Sequence, residues 1–360
     1  MNFYPFHSGI LPGNLYTKAT DEILRRINDF CELKKIKSPL VKNYKIEKKN
    51  SNTQTLNLVK VYSKELYKFV KKNKKAMVLD ADLTKDAGSL EVMLKLPNQF
   101  IEFGIAEQDM VSFGSGLAAK NFLPIFHSFS CFMSTRSQEQ IFNFCSEDRK
   151  GIFIGALSGL VPSGPGHSHQ MVRDVPIIGS MPNMIILEIF SRKMISAFFN
   201  YQKKIKKSFF IKLNNSMLIE ENFKTLDLPK LGNLSKVIVS KKCEKVVVCQ
   251  GADVLNEVLK IKNNIIEMKN TSVFSAVWLN KLNKKEILNF NNKKVLIFES
   301  STDFGSYASF LSKNILSIGC KIKKFKSISI KNLPECGQND EILDYHKLSS
   351  SKILKEIKSF

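Results

Sequence analysis

Arginine is scarce in this sequence: only six of the 55 basic residues are Arg, and the Lys that make up the rest are scattered among Asn, Ile and Phe. A nucleic-acid surface gathers Lys and Arg into a patch that tracks phosphates, so the scatter argues against a nucleic-acid partner. The formal net charge of +22 then reads as a bias carried on solvated faces, although its field favours a phosphorylated ligand. The seven cysteines include no Cys-x-x-Cys pair. Cys131, Cys145 and Cys243 lie in apolar or strand-like contexts, which points to reduced, mostly buried thiols of a cytoplasmic protein. No apolar run is long enough to span a bilayer, and MNFYPFHSGI lacks the charged-then-apolar pattern of a leader, so no membrane partner is expected. There is no internal repeat, which excludes a solenoid, and Gly251 is not part of a G-x-G-x-x-G dinucleotide fingerprint.

What the sequence does have is 43% apolar residues over 360 positions, enough for a substantial core and long enough to favour two domains. Leu15, Ala19, Ile23, Leu24, Ile27 and Phe30 fall at helical spacing and predict one amphipathic helix over 14–34. The Lys- and Asn-rich run from about 35 to 55 reads as a linker. Apolar runs at 76–81, 122–126, 151–157, 184–189 and 209–213 then alternate with helical patterns. After LPKLGNLS (228–235), which has the Pro and Gly of a boundary, a second cycle brings runs at 236–240, 245–250, 272–278 and 294–300. The fold class expected is α/β, with two domains, each a mostly parallel sheet covered by helices on both faces. The boundaries expected are an N-terminal segment 1–50, a domain 51–225 and a smaller domain 226–360.

Several segments carry residues suited to chemistry. Phe103-Gly104 leads into a helix that opens with Glu107 and continues with the small residues Gly114, Gly116, Ala118 and Ala119, which let a backbone or a flat ligand come close. Taken alone, Glu107 is also what any helix start favours. Phe129 and Phe132 lie three apart, on one helical face or turn, and such a pair is ordinarily core. The stretch 157–184 packs Gly, Pro, His167 and His169 between two strands, the kind of loop in which parallel sheets place their sites. The two histidines lack a carboxylate or Cys at ligand spacing, so no metal site is assigned, and surface histidines are the plainer reading. Asp82 is either a site acid or a turn acid, and His7 alone is a surface residue.

The run FIEFGIAEQDMVSFGSGLA, 100–118, resembles over its whole length the pyrimidine-binding motif of the transketolase family. That resemblance implies that Glu107 hydrogen-bonds the aminopyrimidine of thiamine diphosphate and promotes the imino form that generates the reactive ylid. It further implies that Phe129 and Phe132 hold the ring, with the register of Phe126 and Arg136 less defined, and that Asp82, in a segment similar to the family's S-A-D-L, lies near the cofactor or a subunit interface. Aligning the family's D-G-P-T-H-Q loop puts His169 in the position that contacts sugar oxygens and shuttles protons, with His167 as the alternative. Ser163 then stands where the family often has an Asp that contacts a substrate hydroxyl, which makes it a substrate-binding candidate, and Asn214 where it commonly has a phosphate-gripping Arg, a task that Arg173 could take over. The C-terminal segments VVVCQGADVLNEVL, VLIFESSTDFGSYASFL and ECGQNDEILDYHKL are similar to the family as well.

FHSGILPGNLYTKATDEILRRI resembles the last loop and helix of a transketolase diphosphate-binding domain, with His7 at its substrate-contacting His. The rest of that domain, marked by G-D-G and a later Asn, is not in the sequence. The resemblance therefore implies one subunit of a split enzyme: a partner chain supplies the diphosphate site and most of the hold on Mg2+ (or Ca2+), in a heterotetramer. The expected activity is transfer of a two-carbon ketol unit between sugar phosphates. The rivals are a deoxyxylulose phosphate synthase-like or 2-oxoacid dehydrogenase β-like subunit, and a non-catalytic regulatory subunit that retains the fold.

Overall fold

The computed structural model describes residues 13–37 and 55–360, and the chain divides into two compact units, Met1–Thr53 and Gln54–Phe360. In the first unit the predicted amphipathic helix runs Gly13–Leu33, and Ile23 and Phe30 of its apolar stripe are exposed. His7 and most of the expected linker lie outside the described residues.

The second unit opens on the short strand β1 (Thr55–Asn57). A six-stranded sheet follows, made of β2 (Ala76–Asp80), β3 (Phe100–Glu102), β4 (Leu123–Phe129), β5 (Ile152–Ala156), β6 (Met184–Glu188) and β7 (Ser208–Leu213). Its spatial order is β3-β2-β4-β5-β7-β6, and every pair is parallel. Strands β5, β6 and β7 are buried along their whole length, which is why their apolar residues follow one another instead of alternating with polar ones. β8 (Met217–Ile219) returns to pair antiparallel with β1.

The second sheet comprises β9 (Ser235–Ile238), β10 (Lys245–Gln250), β11 (Thr271–Ser275), β12 (Lys294–Thr302) and β13 (Lys324–Ile330), in the order β13-β12-β10-β11-β9. Only β9 runs antiparallel to its neighbour. Both sheets are covered on two faces, and strand alternation sorts the core into two layers. Ile152 and Ile154 join the layer with helices Leu58–Lys72 and Arg192–Tyr201, whereas Phe126 and Phe153 join the layer with helices Glu107–Ala119 and Gln138–Ser146. Val247 and Val248 of β10 divide in the same way, so each layer continues from one sheet to the other.

The architecture is the α/β pair of sheets that the sequence predicts, with four further strands. β1 and β8, which pair with each other, and the edge strands β3 and β13 were not among those predicted. β4 also extends to Phe129, so that Phe129 ends a strand while Phe132 lies in the helix Ser130–Thr135 that follows.

Candidate active site

The C-terminal ends of β3, β4 and β5 converge on one place. After β3, Gly104 turns the chain at φ 64°, and Glu102 fixes that turn by accepting the backbone N–H groups of Gly104 (2.9 Å) and Asp82 (2.8 Å). Glu107 is then the first residue of the helix Glu107–Ala119, where the helix dipole favours a carboxylate, and it is 2% exposed. Its Oε1 accepts the Ser128 hydroxyl at 3.0 Å, and Arg136 Nη1 lies 3.3 Å and 3.2 Å from its two oxygens. The Arg136 side chain is 44% exposed, and its guanidinium lies 3.9 Å from the centroid of the Phe132 ring. Glu107 is thus a buried acid with a neutral donor on one side and a half-exposed cation on the other.

Three rings gather beside it. Phe129 and Phe132 are 6.1 Å apart, and His169 stands edge-on to both, at 5.9 Å and 5.3 Å. The Phe rings are half-buried, and the Arg136 guanidinium covers one face of Phe132. Ser168 Oγ lies 3.0 Å from His169 Nδ1.

Beneath this surface lies a fully buried polar floor. Asp174 accepts Lys212 Nζ (2.5 Å) on one oxygen and the hydroxyls of Ser158 (2.6 Å) and Ser130 (2.9 Å) on the other. Strand β7, the start of the His169 loop and the residue after Phe129 are thereby tied to one carboxylate. Nearby, Glu188 accepts Gln250 Nε2 (2.9 Å) and the Ala252 N–H (2.8 Å) across the seam between the sheets. Burial pushes its carboxyl up to about 7, against the pull of Lys212, the Ala252 N–H and the Gln250 amide. Burial likewise raises Asp80 to about 7, and it lowers the fully buried His127, bonded to Tyr62 at 2.8 Å, to about 4.

Of the residues singled out from sequence, Glu107, Phe129, Phe132 and His169 come together. His167 is exposed and does not join the ring cluster. Arg173 is exposed at the N-cap of the helix Asp174–Gly179. Asp82 is exposed, at φ 59°, and the buried acid of that strand end is Asp80. Ser163 is fully buried, with its hydroxyl donated to Gly337 O at 2.8 Å. Asn214 is buried too, and its amide bonds Ser158 O (2.9 Å) and the Ser216 N–H (2.7 Å). The sequence reading missed Ser128 and the Asp174–Lys212 pair and left Arg136 unassigned. Arg136 did carry a signal, since it sits four residues after Phe132 and so on the same helical face. Among the described residues, no group of three or more His, Cys, Asp or Glu is placed to hold a metal ion, and no helix is long and apolar enough to cross a membrane.

Residues 54–201 match the transketolase pyrimidine-binding domain family. A protein of Methanocaldococcus jannaschii named as a transketolase C-terminal section is 26% identical over 316 residues, covering 83% of this chain and 94% of that protein. The 1-deoxy-D-xylulose-5-phosphate synthase of Natranaerobius thermophilus is 24% identical over 308 residues, 83% of this chain but 47% of the synthase, so the chain spans about half of such an enzyme. Among solved structures, a split-gene transketolase described as an inactive β4 tetramer superposes with a TM-score of 0.72 at 19% identity, over 85% of this chain and 98% of that one. The transketolase of Campylobacter jejuni gives 0.68 at 18% identity, over 97% of this chain and 53% of that one.

Proposed function

Because the chain belongs to the transketolase family, as a C-terminal section carrying the pyrimidine-binding domain, we propose that it is the pyrimidine-holding subunit of a split, thiamine diphosphate-dependent enzyme. The observation that carries this reading is the buried Glu107 linked through Arg136 to the half-buried rings of Phe129 and Phe132. The donor set fits the cofactor's aminopyrimidine: one buried acid for a ring nitrogen and two aromatic faces for the ring. Thiamine diphosphate, when bound, supplies a nucleophilic carbon that no side chain offers. Glu107 holds or moves a proton at its carboxyl oxygen, and Ser128 and Arg136 fix the direction in which that oxygen points. His169 exchanges hydrogen bonds with the oxygens of a sugar substrate.

In this reading the diphosphate end and its Mg2+ (or Ca2+) belong to a partner subunit, a division supported by the similarity to a protein named as a transketolase C-terminal section and to a split-gene transketolase. The domains are an N-terminal segment 1–50, the pyrimidine-binding domain 51–225 and a C-terminal domain 226–360, and the assembly is a cytoplasmic heterotetramer. The reaction is transfer of a two-carbon ketol unit between sugar phosphates. A second reading, formation of 1-deoxy-D-xylulose 5-phosphate, is favoured by the synthase relatives.

The test is to reconstitute the chain with a diphosphate-domain partner and identify the product, which separates the two reactions. Glu107→Gln is expected to lower turnover by about 100-fold or more while the complex still assembles, the size of a lost general acid–base group. Unchanged turnover in Glu107→Gln would overturn the role given to this acid.

A further inference from the structure

The loop carrying His169 leaves the six-stranded sheet, yet beyond its base it is held by the other one. At its base the Ser158 and Val161 carbonyls accept from Asn214 and Ser216 at the end of β7. Partners from the other sheet begin at Leu160. Ser300 of β12 takes the Leu160 N–H at 2.8 Å, and the Thr302 N–H reaches Val172 O at 2.7 Å. Between these points the connection after β13 grips the loop. Asn339 Oδ1 accepts both the N–H (2.9 Å) and the hydroxyl (3.1 Å) of Ser163, and Cys336 Sγ donates to Gly164 O at 3.2 Å. Gln170 Nε2 donates to Glu335 O at 3.1 Å and to Leu160 O at 2.9 Å. Within the gripped stretch the N–H groups of His169 and Gln170 both close on Gly166 O at 3.0 Å.

We propose that Asn339 is a positioning residue for His169, and that through it the C-terminal sheet, not the sheet bearing Glu107, sets where the imidazole stands. Ser163 and Gln170 are buried anchors, while Gly164, Pro165, His167 and Ser168 between them are exposed. A short loop pinned at two buried points has little freedom left for the residue beside one pin, and His169 precedes Gln170 directly. Asn339 is itself held, as the first residue of the helix Asn339–Tyr345, whose capping box pairs Gln338 with Glu341. Ser163 thereby takes a structural part instead of the substrate contact expected from its alignment. The inference rests on the reading of His169 as a site residue.

The test measures amide hydrogen exchange on the full chain alone and turnover in the reconstituted complex. Asn339→Leu removes the acceptor of the Ser163 N–H and leaves its hydroxyl only Gly337 O, Ser163→Ala removes the hydroxyl alone, and Asn339→Asp keeps the acceptor. Exchange within 163–170 is expected to rise about tenfold in Asn339→Leu, less in Ser163→Ala and not in Asn339→Asp, with the strands of both sheets unchanged. In the complex, Asn339→Leu is expected to lower kcat about tenfold at unchanged cofactor affinity, with activity restored in Asn339→Asp. Wild-type exchange of the loop in both Asn339→Leu and Ser163→Ala would overturn the proposal, as would equal acceleration throughout the six-stranded sheet. Full activity in His169→Ala would sink the reading of His169 instead, and the exchange result is independent of it.

Discussion

Glu107 and Glu188 are both buried carboxyls bonded to two donor groups, but they face different things. Glu107 faces a half-exposed Arg136 that lies on the Phe132 ring, whereas Glu188 faces the seam between the sheets and is 1% exposed. Because burial lifts Glu188 from its ordinary 4.5 to about 7, the folded chain binds its proton more tightly than the unfolded chain does. The stability this confers is complete below the unfolded value and is lost as pH rises through the folded one. Thermal melts are therefore expected to fall from about pH 5 to about pH 8, and Glu188→Gln to make that fall shallower without abolishing it, since Asp80 and Glu299 are raised to about 7 as well. A melt profile in the variant parallel to that of the wild type would contradict this. Glu107 was legible because a helix start, a Gly turn and a family-like motif coincide within eight residues. Asp174 and Lys212 were not, being 38 residues apart and brought together only by the order of the strands.

At the scale of elements, the small residues of the helix Glu107–Ala119 foretold a close approach, though not to what. A Cβ on Gly114 would lie 2.2 Å and 2.4 Å from two ring carbons of Phe126, so the helix lies against β4 only because that atom is missing. A Cβ on Gly116 would meet nothing within 4 Å. Gly114→Ala is expected to destabilise the chain by roughly 1–3 kcal/mol through overpacking. Gly116→Ala is expected to stabilise it by up to about 1 kcal/mol, as a glycine removed from an exposed helix interior. Chemical denaturation of the two variants side by side checks both signs. The strands of the sheet interiors were readable because burial on both faces lets apolar residues follow one another. The edges β3 and β13 were not: one has three residues, and the other begins Lys-Phe-Lys, charges that blunt an open edge and also break the apolar pattern.

For the whole molecule, the α/β class and the two cycles of strands followed from the sequence, while the way the sheets join did not. The segment after β11 lies along the free edge of β6: the Glu188 N–H bonds Val277 O and the Leu279 N–H bonds Ile186 O, both at 2.9 Å. Trp278, 1% exposed between those bonds, donates its indole N–H at 3.1 Å to Pro229 O, so the Pro- and Gly-rich boundary is built into the seam rather than hanging as a tether. Trp278→Ala is expected to cost about 3–5 kcal/mol and to lower the unfolding midpoint of both sheets together, as followed by circular dichroism. A separate early transition of one sheet would argue that the seam is dispensable. Trp278 is also the sole tryptophan of the sequence. Its ultraviolet emission is therefore a one-site gauge built into the chain, blue while the sheets stay joined and red-shifted once water enters between them, whatever is happening around Glu107.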